Sequence, residues 1–493
     1  MTASAERTAG NMAQGLDGQD DLTNNLAKLA VVVLAAGKGS RMRSQLPKVL
    51  HQVIGEPMLF HVLRQVTALG VPPERTVIVI GNGAEQVREA LVGRGAYLFA
   101  EQTEQLGTAH AVQQAEHLLA VTAEHVLVLY GDGPLVRAAS LRGLTVKHFE
   151  TRPLVTLVTA TTPDPTGYGR IFRDPNSGAF HSIVEEADLS LAQRDIKEFN
   201  AGIYIYRAKW LWPALRRVTP SSKGEYYLTD LAQFATQTAT LPADDANHKG
   251  SHDPALPSPV ETIWMDADDI RGINDRAQLA EVDAILRRRL VLQHQLNGVT
   301  INDPATVYIS ADTEIGPDSQ IEPNTHLRGH CRIGANCVIG PNTVLENAIV
   351  GDNCQVIASF VEAATLENRV IVGPMAHIRP GCYLEHDVQI GNFAEANRSY
   401  IGHTSRQHHF SYLGDATLGE DVNIGAGTIT ANYDGKNKHK TRIGPHAFIG
   451  SDTILRAPVE IGASAATGAG AVVTHNVPAH TTVVGVPARP IGK

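Results

Sequence analysis

The sequence predicts an α/β domain with a mostly parallel, Rossmann-like sheet, followed by a connecting helix and a left-handed parallel β-helix of hexapeptide repeats. Two observations predict this arrangement. Apolar residues recur every six positions over much of the C-terminal part. The N-terminal part instead alternates short apolar strands with helical stretches, which is typical of parallel sheets covered by helices.

The composition indicates a folded protein with more than one domain. The chain has 493 residues, of which 43% are hydrophobic and 19% charged, and this length exceeds what one ordinary core supports. A net charge of −9 argues against a nucleic-acid surface, which needs a basic face. No run approaches the roughly 20 apolar residues of a membrane span. We expect a mobile tail over residues 1–28, a cytoplasmic location and no membrane insertion.

The six-residue period is the strongest signal in the chain. It fits three short strands per triangular coil, each with one inward aliphatic residue. Small residues stand two positions before many of these aliphatics, and all four cysteines occupy that position, so we expect them to be core residues without a redox or metal role. The cysteines are Cys331, Cys337, Cys354 and Cys382, and the aliphatic series is Ile315, Ile321, Leu327, Ile333, Ile339, Leu345, Val372, Ile378, Leu384, Ile390, Ile443, Ile449, Leu455 and Ile461.

The period is interrupted twice, after Ile390 and after Ile424. Insertions into a repeat fold become loops on one face, often the face that binds ligands. We therefore expect loops at Gly391–Tyr412 and Ala431–Arg442, both rich in His, Asn, Arg and Lys.

The N-terminal part predicts a mostly parallel sheet with helices on both faces. Leucines at helical spacing among many charges predict an amphipathic connecting helix over Asn274–Gln295, and residues 241–260 have the composition of an exposed loop. We expect domains at 29–272 and 299–493, joined by a helix within 273–298. The predicted strands are Val31–Leu34, Val77–Ile80, Val126–Tyr130 and Leu154–Ala160, and the predicted helices include Met58–Leu69 and Ala109–Leu119.

The first strand runs into a loop of small residues, Ala35–Met42, in which Lys38 and Arg41 supply positive charge. Such a loop lets backbone N–H groups approach phosphate oxygens. The loop is neither a Walker A motif nor a full GxGxxG motif, since Met42 stands at the last position. On these residues alone, a plain strand-to-helix turn explains the loop as well as a phosphate site does.

A second candidate residue is Asp132, which follows the strand Val126–Tyr130. Ligands of open α/β sheets bind beyond the carboxyl ends of the strands, so Asp132 and the glycine-rich loop are expected to converge. A carboxylate facing a phosphate loop is understandable if Mg²⁺ bridges the two. The alternative for Asp132 is a helix cap or a turn residue.

Several longer motifs make the comparison specific. The stretch LAAGKGSRMRSQLPKVLH (Leu34–His51) resembles the signature of sugar-phosphate nucleotidyltransferases, particularly the N-acetylglucosamine-1-phosphate uridyltransferases. EQTEQLGTAHA, LYGDGPL, TGYGRI, IVEEAD, EFNAGIY and GEYYLTD follow in the order that this family shows. The resemblance extends from Leu29 to about Ile491.

The resemblance implies a set of residues for uridyl transfer. Leu34, Ala35, Ala36, Gly37 and Lys48 are expected at the nucleotide and its phosphates, Gln102, Gly107 and Thr108 around the uracil, Tyr130, Gly131 and Asp132 at the border of the sugar nucleotide, and Gly169, Glu185 and Asn200 at the sugar and ribose. Asp132 and Asn274 are expected to hold Mg²⁺, and Arg41 to stabilise the departing pyrophosphate. Attack of a sugar phosphate on UTP needs orientation and charge neutralisation more than covalent help.

Acetyl transfer to an amine needs a base near the amine, and a histidine suits that role. The residues themselves leave His403, His408 and His409 open, each of which could be a solvated surface residue. HIRPG, GNFAEANRS, HHFSYLGDATLGEDVNIGAGTITANYDGKNKHKT and FIGSDT resemble the glucosamine-1-phosphate acetyltransferase domain that is fused to this uridyltransferase in a bifunctional family.

This second resemblance selects His409 as the general base and implies a homotrimer whose acetyl-transfer sites form between adjacent subunits. Arg379, Asn397, Tyr412 and Asn423 are expected at the sugar phosphate, and Ala426, Asn432, Tyr433, Ser451 and Ala469 along the acetyl-CoA groove. The expected substrates are glucosamine-1-phosphate, N-acetylglucosamine-1-phosphate, UTP and acetyl-CoA.

The sequence departs from the family pattern at several positions. Asn397, followed by Arg398, stands where the pattern has lysine, so a phosphate contact is lost or displaced. Gly133, Ala187 and Ala201 replace residues that are bulkier or charged in the pattern. The C-terminal stretch Gly485–Arg489 also differs, and its arginine is a candidate for the CoA phosphates.

Two other functions fit part of the sequence. The protein could keep only uridyl transfer, with the β-helix as a trimerising scaffold, and Asn397 is the best support for this alternative. It could also be a non-catalytic protein that binds sugar nucleotides. The phosphate and metal positions Arg41, Lys48, Asp132 and Asn274 all remain, which argues against the non-catalytic alternative.

Overall fold

The computed structural model describes residues 22–221, 224–238 and 258–491. Of the tail expected over 1–28, residues 1–21 lie outside the described part, while residues 22–26 are helical. The loop expected over 241–260 lies outside it up to residue 257. The chain divides into two compact units, Met1–Ile285 and Leu286–Lys493. None of the helices in the described part combines the length and the apolar character that crossing a bilayer requires.

The first unit contains a nine-stranded sheet, with a small two-stranded sheet beside it. Its strands are β1 Leu29–Leu34, β2 Gln52–Val53, β3 Glu56–Pro57, β4 Thr76–Ile80, β5 Leu98–Glu101, β6 His125–Tyr130, β7 Val155–Thr161, β8 Arg170–Arg173, β9 Phe180–Val184, β10 Glu198–Arg207 and β11 Val260–Trp264. Its helices are α1 Met58–Leu69, α2 Ala84–Ala90, α3 Thr108–Gln113, α4 Glu116–Leu119, α5 Ala138–Thr151, α6 Ala208–Leu215 and α7 Asp230–Thr238, with 3₁₀ turns at Ser40–Met42, Lys48–Leu50, Pro73–Arg75, Glu186–Asp188, Ala192–Asp195 and Ala267–Asp269.

The large sheet has the order β11-β7-β10-β6-β1-β4-β5, with β8 and β9 attached through β10. The pairs β1–β4, β1–β6, β4–β5 and β7–β11 are parallel, and only β10 runs antiparallel to its neighbours β6 and β7 within this order. The prediction of a mostly parallel sheet is confirmed. All six residues of β1 are buried, as expected for an apolar strand with a covered face on each side.

The predicted helix Met58–Leu69 has the bounds that the sequence indicated, whereas Ala109–Leu119 divides into α3 and α4. The division has a backbone cause. Gln114 and Ala115 donate to the carbonyls three residues before them, at 3.2 and 3.0 Å, which tightens the end of α3 into a 3₁₀ turn. Helix α8, Arg276–Leu296, lies within the span 273–298 and contains the boundary between the two units.

The second unit is a left-handed parallel β-helix whose coils contribute to three sheets of 12, 10 and 9 strands. The first sheet contains Thr300–Ile301, Gln320–Ile321, Val338–Ile339, Gln355–Val356, Ile371–Val372, Gln389–Ile390, Arg406–Gln407, Asn423–Ile424, Phe448–Ile449, Ala466–Thr467, Thr482–Val484 and Arg489–Pro490. The second contains Tyr308–Ile309, His326–Arg328, Val344–Glu346, Phe360–Glu362, His377–Ile378, Ala394–Asn397, Ser411–Gly414, Ile429–Ala431, Ile454–Arg456 and Val472–Val473. The third contains Glu314–Ile315, Arg332–Ile333, Ile349–Val350, Thr365–Leu366, Tyr383–Leu384, Tyr400–Ile401, Ala416–Leu418, Thr441–Ile443 and Val459–Ile461.

The aliphatic residues of the six-residue period form the core of this β-helix. Ile321, Ile339, Val356 and Val372, for example, are stacked in register and fully buried. All four cysteines are free thiols in the same core, as predicted. Among the described residues no group of three His, Cys, Asp or Glu side chains is placed to hold a metal ion.

One of the two loop predictions is wrong. The segment Gly391–Tyr412 continues all three sheets through the strands Ala394–Asn397, Tyr400–Ile401 and Arg406–Gln407. The aliphatic pattern fails there because Ala396 and Gln407 occupy inward positions, and because Ile401 follows Ala396 by five residues. The other segment, Ala431–Arg442, does contain a loop, which leaves the coil between the strands Ile429–Ala431 and Thr441–Ile443.

A buried pair of histidines lies in the first unit. His148 of α5 forms hydrogen bonds of 2.8 Å with His125 and with Thr156 Oγ1. Burial lowers the pKa of His125 to about 4 and that of His148 to about 3. Both imidazoles are therefore neutral in the folded state at neutral pH.

We expect the first unit to lose stability when the pH falls from 7.5 to 5. Unfolded histidines bind protons below about pH 6.5. The folded pair stays neutral down to about pH 4, so the unfolded state binds up to two more protons. This difference lowers the free energy of unfolding by up to about 2.7 kcal/mol per pH unit. All three tryptophans, at positions 210, 212 and 264, lie in this unit, so urea unfolding followed by tryptophan fluorescence measures the effect.

His148→Gln is the matched variant, because it removes one of the two depressed titrations. Its unfolding midpoint should depend less steeply on pH than that of the wild type, whatever its stability at pH 7.5. Equal pH dependence of the two proteins would contradict the assignment.

Candidate active sites

Two adjoining cavities, of about 460 and 310 Å³, open where β1 and β6 end in the first unit. The register pairs Leu34 with Tyr130, so the two strands finish side by side. Both cavities are lined by Thr108, Tyr130, Asp132, Tyr227 and Asn274. The cavities therefore form one continuous site at the carboxyl edge of the sheet, where open α/β folds bind ligands.

The glycine-rich loop at the first cavity brings Lys48 into the site. Gly39 has a left-handed φ of 58°, and a Cβ atom there would lie 2.6 Å from Lys48 Cβ. Only glycine allows this approach. The N–H groups of Gly37, Lys38 and Gly39 donate to no residue in the described part of the chain. They remain available to phosphate oxygens.

Two cations, a carboxylate and an amide converge at the centre of the site. Lys48 Nζ donates to Asp132 Oδ2 in a close ion pair and to Asn274 Oδ1 at 3.0 Å. Arg41 Nη2 donates to the same Asn274 oxygen at 2.8 Å. The four residues come from the loop after β1, the 3₁₀ turn at Lys48–Leu50, the end of β6 and the approach to α8. The structure thus brings these four residues together. Lys38, which the sequence also offered as a phosphate-binding cation, is exposed and does not line the cavity.

The far wall of the first cavity holds Gln102, Gly107 and Thr108. Gln102 Nε2 donates to the Gly107 carbonyl at 3.0 Å, a bond that does not use the side-chain amide oxygen. Gly107 has a φ of 108°, and a Cβ atom there would lie 2.5 Å from the Tyr226 carbonyl. Thr108 Oγ1 accepts from the Leu228 N–H at 3.0 Å. These bonds fix the loop before α3 against the segment that carries Tyr227.

The second cavity contains two polar side chains that are held by hydrogen bonds, the buried Asn200 and the partly buried Glu185. Asn200 donates from Nδ2 to the Tyr204 hydroxyl at 2.6 Å and accepts from the Gly202 N–H at 3.1 Å. Glu185 Oε1 accepts from Thr229 Oγ1 at 2.9 Å, and burial raises the pKa of the Glu185 carboxyl. Both side chains are held in place before any ligand binds.

The sequence placed Gly131 at the ligand together with Tyr130 and Asp132, but the structure gives it a supporting position. It lines neither cavity; its N–H donates to the Leu34 carbonyl at 2.9 Å and ties the ends of β1 and β6 together. Three residues that the sequence prediction left out belong to the site: Glu225 and Tyr227 line it, and Thr229 holds Glu185. All three lie in the motif GEYYLTD, so the motif itself was the available signal.

The second candidate site lies on one corner of the β-helix. The inward residues Gln407, Ile424, Ile449 and Thr467 pair in register on successive coils of the first sheet. The residues two positions after them are His409, Ala426, Ser451 and Ala469, which therefore form one column along the corner. Coils in register are about 4.8 Å apart. The column places the histidine at the head of three small side chains, and we call these four residues the corner column.

The three histidines that the sequence left open have different surroundings. His403 forms a 2.8 Å hydrogen bond with the His386 carbonyl, and His408 forms one of 2.9 Å with Gln389 Oε1. The ring nitrogens of His409, which is exposed, bond to none of the residues that the structure describes. Of the three, His409 is the one whose ring has no hydrogen bond within the described part of the chain.

Arg398, which follows Asn397, forms hydrogen bonds within the chain. Its guanidinium pairs with Asp415 through both carboxylate oxygens, at 2.8 and 2.9 Å. Asp415 also accepts from Asn432 Nδ2 at 2.5 Å, and Arg398 donates to Asn397 Oδ1 at 3.2 Å. The arginine is committed to a network across three coils, and the buried Asn397 is part of that network.

The remaining predicted residues surround this network and the corner column. Tyr412 is paired in register with Glu395, to which Arg379 donates at 3.0 Å. A Cβ atom on Gly414 would lie 2.4 Å from the Tyr412 hydroxyl, so this glycine lets the hydroxyl fold back toward Asn432. Asn423 lies in the first sheet three residues before Ala426, and the exposed Tyr433 begins the loop that leaves the coil.

Comparisons with known families cover both units. Residues 31–222 match the MobA-like NTP transferase domain. Residues 312–347 match the bacterial transferase hexapeptide (six repeats), and residues 440–475 the hexapeptide repeat of succinyl-transferase.

Close relatives align with nearly the whole chain. The bifunctional protein GlmU of Streptococcus pyogenes serotype M3 is 48% identical over 92% of this chain and 94% of its own length. GlmU of Streptococcus thermophilus strain LMD-9 is 43% identical over the same shares. A crystal structure of a putative glucose-1-phosphate thymidylyltransferase from Bacillus anthracis, in complex with a sucrose, aligns with 52% of this chain and 94% of that chain at 17% identity and a TM-score of 0.40.

We expect Gly39→Ala to weaken nucleotide binding at least about tenfold, because the added methyl group strains a left-handed residue and displaces Lys48. Calorimetric titration with UTP measures the loss. Gly143→Ala is the control, since a Cβ atom at this position in α5 meets nothing within 4 Å. Unchanged UTP affinity in Gly39→Ala would show that Lys48 does not bind the nucleotide.

Proposed function

The chain belongs to the family of bifunctional GlmU proteins, and on that premise we propose which of its residues carry each of the two reactions. It is a bifunctional enzyme. It transfers an acetyl group from acetyl-CoA to glucosamine-1-phosphate, and it couples N-acetylglucosamine-1-phosphate to UTP with release of pyrophosphate. The uridyltransferase-only and non-catalytic alternatives are thereby set aside.

For uridyl transfer, the first cavity takes the nucleotide and the second takes the sugar phosphate. A sugar-phosphate oxygen attacks the α-phosphorus of UTP, and the bond from that phosphorus to the leaving pyrophosphate breaks. The free N–H groups of Gly37 and Gly39 and the cations Lys48 and Arg41 line this cavity. They orient the triphosphate and balance the charge that develops on the leaving group. The observation that carries this assignment is the convergence of Lys48, Arg41, Asp132 and Asn274.

We assign Mg²⁺ to Asp132 and Asn274. The carboxylate and the amide oxygen both contact Lys48 Nζ, so the two oxygens lie close together. One carboxylate, one amide oxygen and the substrate phosphates are a donor set that Mg²⁺ accepts. When bound, the ion neutralises phosphate charge.

For acetyl transfer, His409 takes the proton of the sugar amine while the nitrogen attacks the thioester carbonyl. The C–S bond then breaks, and the departing CoA thiolate takes up that proton from His409 to leave as the thiol. The corner column supports this assignment. Its small residues Ala426, Ser451 and Ala469 leave room for an extended acyl-CoA chain that ends at His409. Tyr412 and Asn423 lie on the neighbouring strands toward the sugar, while Asn432 and Tyr433 border the groove.

We propose a homotrimer in which a neighbouring subunit completes this site. Phe410, next to His409, and Phe448, aligned with Asn423, are 58% and 54% exposed in the single chain. Large apolar side chains beside a polar site favour a protein partner. The cytoplasm is the proposed location, because UTP and acetyl-CoA are made there.

The two reactions should be separable by mutation. His409→Ala should abolish release of the CoA thiol and spare release of pyrophosphate, whereas Asp132→Asn should do the reverse. Each loss should exceed about a hundredfold, the usual range for a general base or a charged group at the reacting centre. Thiol reagents and a coupled pyrophosphate assay follow the two products in the same protein.

His408→Ala is the matched control for His409→Ala, since its ring is already bonded to Gln389. Thiol release that survives in His409→Ala but fails in His408→Ala would reverse the choice of base.

Asn397→Lys should lower the KM for glucosamine-1-phosphate by about tenfold, because it adds the cation that the family has and that Arg398 cannot supply. Steady-state acetyl transfer at varied sugar phosphate measures this effect. The KM for acetyl-CoA is the internal control and should stay within about twofold. An unchanged sugar-phosphate KM would mean that Arg379 alone satisfies the phosphate.

A further inference from the structure

Five glycines line the second cavity of the first unit. At three of them the backbone conformation or a close neighbour requires glycine. Gly167 and Gly202 have left-handed φ values of 90° and 76°. Gly169 lies where a Cβ atom would come within 3.0 Å of Ile183. Side chains at these three positions would strain the backbone or collide.

At Gly133 and Gly272, neither the backbone conformation nor a close neighbour requires glycine. Their φ angles are not positive. A Cβ atom on Gly133 would meet the Tyr130 carbonyl at 3.6 Å, and one on Gly272 would meet Asp132 oxygens at 3.9 Å, both ordinary contacts. The backbone and its neighbours would therefore accept a Cβ atom at either position. Because positions 133 and 272 have no side chain, the cavity wall has open space on either side of Asp132.

Two apolar residues close to these glycines in the chain line the same cavity. Val136 lies three residues after Gly133, and Ile270 lies two residues before Gly272; both are buried and line the cavity. The polar side chains of the cavity include Glu185, which follows β9, and Asn200 of β10. The hydroxyl groups of a sugar match those polar groups, whereas the methyl end of an N-acyl group is the one apolar part of the substrate. The acyl group therefore belongs against the Gly133 wall.

We propose that the uridyltransferase site accepts glucosamine-1-phosphates whose N-acyl group is longer than acetyl, and that Gly133 is the residue that admits them. This inference rests on the proposed assignment of the second cavity to the sugar phosphate. The reaction is unchanged: the sugar-phosphate oxygen bonds to the α-phosphorus of UTP and pyrophosphate leaves. The additional methylene groups occupy the space that a side chain at position 133 would fill.

The test compares the N-acetyl, N-propionyl and N-butyryl derivatives of glucosamine-1-phosphate with UTP and Mg²⁺, using the full chain. In the wild type, kcat/KM for the propionyl compound should be within about threefold of that for the acetyl compound. Gly133→Val should lower the propionyl-to-acetyl ratio at least about tenfold, the usual cost of a methylene that no longer fits. Gly133→Ala should lower it less, and the butyryl ratio should fall further than the propionyl ratio in both variants.

Gly143→Ala in the same domain is the control, and its ratios should equal those of the wild type. If Gly133→Val does not fold, as judged by lost turnover of every substrate, the ratios in Gly133→Ala decide. A wild-type propionyl activity more than about a hundredfold below the acetyl activity would overturn the inference, and so would ratios that Gly133 variants leave unchanged. Failure of the acetyl compound itself in the wild type would instead overturn the assignment of function.

Discussion

Each coil of the β-helix must lie in register on the coil before it, because its short strands have no other partner for their backbone hydrogen bonds. Register fixes the neighbours of every residue on successive coils. His409, Ala426, Ser451 and Ala469 are far apart in the chain, yet they share one corner because Gln407, Ile424, Ile449 and Thr467 pair in sequence. The constraint also explains how one coil can enclose the polar Gln407. Its amide donates to Ser411 Oγ at 3.0 Å, which braces the turn that carries His409.

The first unit positions its chemistry differently. The parallel strands end at one edge of the sheet, so the residues that follow them lie close together. A few glycines there allow other side chains to pack directly against the backbone. Gly39 admits Lys48, and Gly202 admits the ring of Tyr130, with which its Cβ would collide at 2.5 Å. The Lys48 ammonium group forms an ion pair with the Asp132 carboxylate in the absence of substrates. The cation and the anion at the phosphate site are therefore already paired. Preformed pairing of this kind limits the reorganisation that substrate binding requires.

Two departures from the family pattern have opposite structural meanings. Asn397 is part of a filled network, in which Arg398 is committed to Asp415 and the phosphate contact is not replaced. Gly133 lies beside open space that the backbone does not require. On the assignments proposed above, the first change removes a phosphate contact from the acetyl-transfer site, whereas the second enlarges the cavity that takes the sugar phosphate. Asn397 and Gly133 both replace larger or charged residues of the family pattern. Only their structural neighbours show that the two replacements have different consequences.

The sequence by itself determined the fold of both units and the order of the motifs, because periodic burial and the glycine-rich turns are local properties of the chain. It located the loop in Ala431–Arg442 for the same reason. It failed at Gly391–Tyr412, because an inward Ala396, an inward Gln407 and one shortened turn hide regular coils from an aliphatic pattern. Gly131, Thr229 and the commitment of Arg398 also required the structure. Hydrogen-bond partners distant in the chain leave no local signal, so only tertiary packing decided which of the predicted residues face the ligands and which support them.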